Sequence, residues 1–192
     1  MQPGPEAVLR SIAVTTARER RLLAAWREED DGMATEADKV QALLDAVAVL
    51  DAAGAPYALI GGVAVGIHSG VPRATVDTDF AVGSAHRTAA LLDAFDRAGF
   101  RRTGEHAHSV NLRHASAEPV QLAFDPSFDP MIARAESFDV RGRAVRLVRK
   151  DDLVAMKRRA ASDPARRRSK ALRDQADVEL LLGDVPSPDE GW

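Results

Sequence analysis

The chain has 192 residues, 45% of them hydrophobic and 29% charged, with a formal net charge of −3 and no cysteine. That is enough for one substantial core, and it excludes disulfide and thiolate chemistry. No apolar run approaches the roughly 20 residues that span a bilayer, and Arg10 with the Arg18–Arg21 cluster breaks up any signal-peptide core. A cytoplasmic protein with no membrane partner is expected.

Charge is unevenly spread. Glu28-Glu29-Asp30-Asp31 forms an acidic patch, whereas Lys and Arg gather between Arg149 and Arg173, including Arg166-Arg167-Arg168 and Lys170. The modest net charge therefore does not exclude a polyanionic partner.

Taken in order, Ala, Leu, Arg and Glu predict a first helix from Glu6 to about Glu29, broken by Gly32. Thr35, Glu36 and Asp38 read as the start of a second, with Val40, Leu43, Leu44, Val47 and Leu50 at helical spacing. Gly54 and Pro56 end it. A short apolar strand, Tyr57 to Ile60, then meets Gly61-Gly62, and small apolar residues continue to Ile67 at helical density. After the turn Ser69-Gly70-Val71-Pro72 come Arg73 and the pair Asp77-Thr78-Asp79, leading into Phe80-Ala81-Val82. The pattern is strand, glycine turn, helix, loop, strand.

Downstream, Ser84 is expected to cap a helix to about Ala98. Phe100–Thr103, Ser109–His114 and Val120–Asp125 read as strands, the last from alternation of Val120, Leu122 and Phe124 with Gln121, Ala123 and Asp125. A short helix near residues 130–135, strands near 138–140 and 145–148, and helices over 151–161 and 164–182 complete the chain. The expected division is an N-terminal helical extension (1–35), a core (36–148), a C-terminal helical segment (149–185) and a tail (186–192).

The central stretch has a chemical logic. Glycines between a strand and a helix let backbone N–H groups approach a phosphate, and the helix N-terminus favours an anion. Residues i and i+2 of a strand share a face, so Asp77 and Asp79 can converge on one hard cation such as Mg²⁺. Separately, each piece is better explained by a buried turn or a loop cap.

Gly-Gly, fourteen residues, Asp-x-Asp and an aromatic, with an Arg four before the first Asp, together resemble the nucleotidyltransferase superfamily. The likeness is to its AbiEii-like abortive-infection branch, which includes toxins of toxin–antitoxin systems. The resemblance implies an α+β fold with a mixed sheet and a C-terminal helical segment. It also implies transfer of a nucleoside monophosphate from a nucleoside triphosphate to an acceptor hydroxyl. Asp77 and Asp79 would bind Mg²⁺ (or Mn²⁺), Gly61 and Gly62 the triphosphate, and Lys157 a phosphate. Arg73 would orient the loop or neutralise pyrophosphate. The implied acceptor is a tRNA 3′ end or a protein hydroxyl, and the implied partner a cognate antitoxin.

Two departures and alternatives stay open. The family usually places a third carboxylate on a neighbouring strand, and here that context holds Gln121; Asp125, on the same side but about 13 Å further along, is the other candidate. Asp174 and Asp177, in an Arg-Asp-x-x-Asp run like the family's, are either functional or part of a Lys/Arg/Asp network on solvated helix faces. His106 and His108 lack a third metal ligand at recognisable spacing, and His68 reads as a helix-end residue. A small-molecule (antibiotic) nucleotidyltransferase and a non-catalytic nucleotide-binding relative, such as an antitoxin or regulator, are the competing classes.

Overall fold

In the computed structural model, residues 3–26 and 38–185 are described. Among these residues, seven α-helices and seven strands are interspersed along the chain. The helices are α1 (Pro5–Trp26), α2 (Lys39–Ala52), α3 (Gly61–Ser69), α4 (Ala89–Arg97), α5 (Asp129–Ala133), α6 (Lys150–Ala161) and α7 (Arg168–Leu182). The strands are β1 (Tyr57–Ile60), β2 (Thr78–Val82), β3 (Phe100–His106), β4 (Ser109–His114), β5 (Pro119–Ala123), β6 (Glu136–Val140) and β7 (Arg143–Leu147).

The strands form one mixed sheet in the order β3-β4-β5-β2-β1-β7-β6. β2 lies antiparallel to β1 and parallel to β5, and β1 is parallel to β7. The α+β class and the mixed sheet expected from the sequence are those of the structure. Hydrophobic alternation sets which face is core. Phe80, Leu122 and Val110 form one cross-strand row and are fully buried. The alternate row, Asp79, Gln121 and Asn111, is only part-covered. Polar residues every second position therefore draw a hydrophilic stripe across the middle of the sheet.

Local chemistry explains the helix boundaries. Asp38 caps α2 by accepting from the Gln41 amide at 2.9 Å. The Ser84 cap expected from the sequence is not what forms. Ser84–His86 is a single 3₁₀ turn, and α4 starts at Ala89 under a Thr88 cap, with the Leu91 amide donating to Oγ1 at 3.2 Å. Ser84 instead donates its hydroxyl and its amide to Asp129, a tertiary contact that outcompetes local capping. Likewise α7 begins at Arg168 rather than residue 164, and β3 extends to His106 because β4 pairs with it that far.

One face of α1 (Val8, Leu9, Ile12, Thr16) is buried. Ile12 packs on α3 so closely that a Cβ on Gly66 would come 2.6 Å from its Cδ1. The acidic patch at residues 28–31, the Thr35 helix start and the tail 186–192 fall outside the described residues. Among the described residues no helix is long and apolar enough to cross a membrane.

Candidate active site

The glycine pair is shaped by its neighbours. Gly61 opens α3 with φ +68°, a left-handed conformation that a side chain would strain. A Cβ there would sit 1.9 Å from Asp79 Oδ2, so only a hydrogen lets the carboxylate lie over the helix N-terminus. Gly62 is the same on the other side, where a Cβ would meet Thr75 Oγ1 at 2.4 Å. Ile60 supplies no side-chain cap to α3, leaving this helix end to the groups that gather around it.

Asp79 is the second residue of β2, and Asp77 precedes the strand by one. The Asp79 carboxyl is pushed from the ordinary 3.8 up to about 7. Burial is the main cause and the neighbouring Asp77 charge the next, partly offset by Lys157, Lys39 and Lys170. Two carboxylates held together against burial and mutual repulsion are a charge arrangement that a hard cation relieves.

Gln121 is in direct parallel register with Asp79. Its Nε2 donates to Asn111 Oδ1 at 2.9 Å, and Asn111 is its register partner on β4. With the amide nitrogen used toward Asn111, the Gln121 carbonyl oxygen is the atom left for the Asp79 side. Asn111 was not foreseen from the sequence, although its place between Val110 and Leu112 marks it as the polar face of a strand. Asp125 lies beyond the end of β5. There it caps the following 3₁₀ turn, accepting from the Ser127 amide at 2.8 Å. The Ser127 side chain first, and then its amide, hold the Asp125 carboxyl below the usual range.

Lys157, Asp174, Asp177 and Arg73 come together with Arg166 in one chain of charges. Arg73 Nη2 lies 2.7 Å from Asp177 Oδ1, and Lys157 Nζ bridges Asp177 (2.8 Å) and Asp174 (2.9 Å). Arg166 Nε contacts Asp174 at 2.5 Å. Both aspartates are only 2% exposed. The reading of Asp174 and Asp177 as part of a network on solvated helix faces is therefore corrected. The pairs are real, but they are inside, because α7 turns the i and i+3 carboxylates toward α6 and the Arg73 loop. Arg73 Nε is buried without a hydrogen-bond partner among the described residues.

A second buried network was also not foreseen. Lys39 Nζ and Arg20 Nη1 share the carboxylate of Glu118, Arg20 at 2.8 Å. Glu118 is 0% and Lys39 2% exposed. The sequence held one signal for it, since Lys39 sits on the apolar stripe of α2, four residues before Leu43.

His68 Nε2 pairs with the Val148 carbonyl at 2.7 Å, and His106 and His108 are exposed. Among the described residues no three His, Cys, Asp or Glu side chains cluster as a metal set. A cation beside the glycine turn would have Asp77, Asp79 and the Gln121 amide as candidate oxygen donors. This hard-oxygen set suits Mg²⁺ when substrate phosphates complete the shell. A cleft of about 930 Å³ opens between Phe128–Met131 and α6, bordered by Arg134, Arg159 and Arg166.

Sheet order, glycine turn and Asp-x-Asp strand define the nucleotidyltransferase fold, and the comparisons agree. A lincosamide antibiotic adenylyltransferase, LnuA, solved with lincomycin bound, superposes with a TM-score of 0.54 at 13% identity over 76% of this chain and 97% of its own. ANT(2″)-Ia, solved with adenylyl-2″-tobramycin, gives 0.53 at 19% over 76% and 90%. An antigenic nucleotidyltransferase-like protein from Paracoccidioides brasiliensis gives 0.53 at 24% over 80% of each chain. At these identities the likeness establishes the fold. Residues 42–190 match the family described as nucleotidyl transferase AbiEii toxin, type IV toxin–antitoxin system; the chain belongs to this family. A search of curated proteins found no match.

Proposed function

We propose that the protein is a metal-dependent nucleotidyltransferase that moves a nucleoside monophosphate from a nucleoside triphosphate to an acceptor hydroxyl, acting as a toxin on tRNA. The observation that carries this reading is the packing of Asp79 over the glycine-opened N-terminus of α3, with Asp77 and Gln121 beside it. That arrangement offers hard oxygens for a cation next to backbone N–H groups for phosphate.

Asp77 and Asp79 would hold Mg²⁺ or Mn²⁺, with the Gln121 carbonyl as a neutral third donor. Bound there, the ion would polarise the reacting phosphate and lower the cost of deprotonating the acceptor hydroxyl. Gly61 and Gly62 would present backbone N–H groups to phosphate oxygens beside the Asp79 carboxylate. Lys157, fixed between Asp174 and Asp177, contributes a positive field near Asp79 rather than a free ammonium. Arg73, anchored on Asp177, holds the loop and would help neutralise charge developing on pyrophosphate.

The tRNA acceptor rests on exposed Arg158, Arg159, Arg167, Arg168 and Lys170 along α6 and α7. Arg166 is not part of that surface, being paired with buried Asp174. Gln121 in place of an acid favours a second reading, a relative that binds nucleotide without turnover. Incubation with Mg²⁺, each labelled nucleoside triphosphate and total tRNA tests both. Label on RNA supports the proposal. Label on the protein redirects the acceptor, and nucleotide binding without label supports the second reading.

A further inference from the structure

The segment that delivers Asp77 has no helix or strand of its own: residues 71–77 run as loop until β2 begins at Thr78. What holds its last residues is α1. The Thr75 amide donates to Thr16 Oγ1 at 3.2 Å, and Arg20 Nη2 donates to the Val76 carbonyl at 2.7 Å. The Val76 side chain points to solvent, 62% exposed, so its main chain is gripped without side-chain anchorage.

The other arm of Arg20 reaches the Glu118 carboxylate at 2.8 Å. Glu118 is fully buried, immediately precedes β5 and is pinned by Lys39. A single planar guanidinium thus ties the residue before Asp77 to the root of the strand bearing Gln121. Burial disfavours the Lys39 ammonium, and the paired Glu118 charge opposes this, as in an anchor built to stay fixed. Both Arg20 and Lys39 precede residue 42, where the family match begins.

We propose that Arg20, seconded by Thr16, is a positioning residue for the metal site, setting the place of Asp77 relative to Asp79 and Gln121. This rests on the reading of Asp77 and Asp79 as cation ligands. Two like charges brought together repel. Without a fixed backbone Asp77 would swing outward, and the pair would lose its shared focus.

The test uses full-length protein and two readouts, Mn²⁺ affinity by EPR and amide exchange across residues 75–77. Arg20→Ala is expected to weaken Mn²⁺ binding about tenfold, the worth of one hydrogen bond to a charged group, and to speed exchange at Asp77. Arg20→Lys, which keeps the Glu118 pair but not the fork, should fall between. Thr16→Val should free the Thr75 amide, and it carries the test if Arg20→Ala does not fold. Arg10→Ala, which breaks only an exposed pair with Glu6 within α1, should change neither readout. Folded Arg20→Ala with wild-type Mn²⁺ affinity and wild-type exchange at 75–77 overturns the inference. If wild-type protein binds Mn²⁺ no better than Asp79→Asn, the metal reading itself fails, and the positioning role falls with it.

Discussion

Asp79 and Gln121 stand in register on adjacent parallel strands, so their side chains leave the sheet from one face, side by side. The neutral amide therefore sits where a third negative charge would complete a cation site. Gln121→Asp should tighten Mg²⁺ binding by tenfold or more, because a carboxylate replaces a dipole beside two existing acids. Calorimetric titration of the ligand-free protein checks this. Asp125→Asn should leave Mg²⁺ affinity within twofold, since that carboxylate caps a turn; a large loss would relocate the third donor.

The raised Asp79 pKa makes a stability prediction whose sign is opposite to that of an ordinary salt-bridged acid. The folded state holds its proton up to about pH 7, the unfolded chain only to about 3.8. The folded state therefore binds more protons between these values, and stability falls as pH rises through that window. Asp79→Asn removes the penalty. In EDTA it should match wild type at pH 4 and exceed it at pH 8 by on the order of 2 kcal/mol, allowing for partial solvent access. Urea unfolding at both pH values measures it, and added Mg²⁺ should stabilise wild type alone.

Gly61 and Asp79 should be energetically coupled. Gly61→Ala adds a Cβ at a left-handed residue, costing about 1 kcal/mol by itself, and drives it into the Asp79 carboxylate. In an Asp79→Gly background the second cost should vanish. A double-mutant cycle by denaturant unfolding should return an interaction of about 1–2 kcal/mol. Strict additivity would mean that the carboxylate moves aside freely.

Removing Lys157 should damage the fold as well as any transfer. Lys157→Met leaves Asp174 and Asp177 buried with one cation each. The expected loss is about 3 kcal/mol in unfolding free energy. Asp174→Asn in the same background should not recover it, because Arg166 then loses its own buried partner.

If the acceptor is RNA, Arg167→Glu, Arg168→Glu and Lys170→Glu together should lower the slope of log affinity against log salt by about 2. Nucleotide affinity should hold. The triple change leaves Arg166 alone, since reversing that residue would break the buried pair with Asp174 and confuse folding with binding.

The sequence by itself determined the strand–glycine–helix–Asp-x-Asp unit and its neighbours, because these are local patterns. Alternation puts Asp79 and Gln121 on polar faces of otherwise apolar strands, and the Gly-Gly pair gains meaning from its spacing to Asp77 and Asp79. It could not show that Gln121 pairs with Asp79, since register between strands about forty residues apart is set by packing the whole sheet. Nor could it separate a solvated Lys/Asp/Arg surface from a buried one, because helical spacing states which residues share a face and not what covers it. Ser84 illustrates the same limit: a good local cap yields when a distant Asp129 offers two hydrogen bonds. The grip of Arg20 on Val76 and Glu118 joins three segments, the last 98 residues from Arg20. Only the tertiary fold brings these groups within hydrogen-bond reach, where burial makes each pairing strong enough to hold.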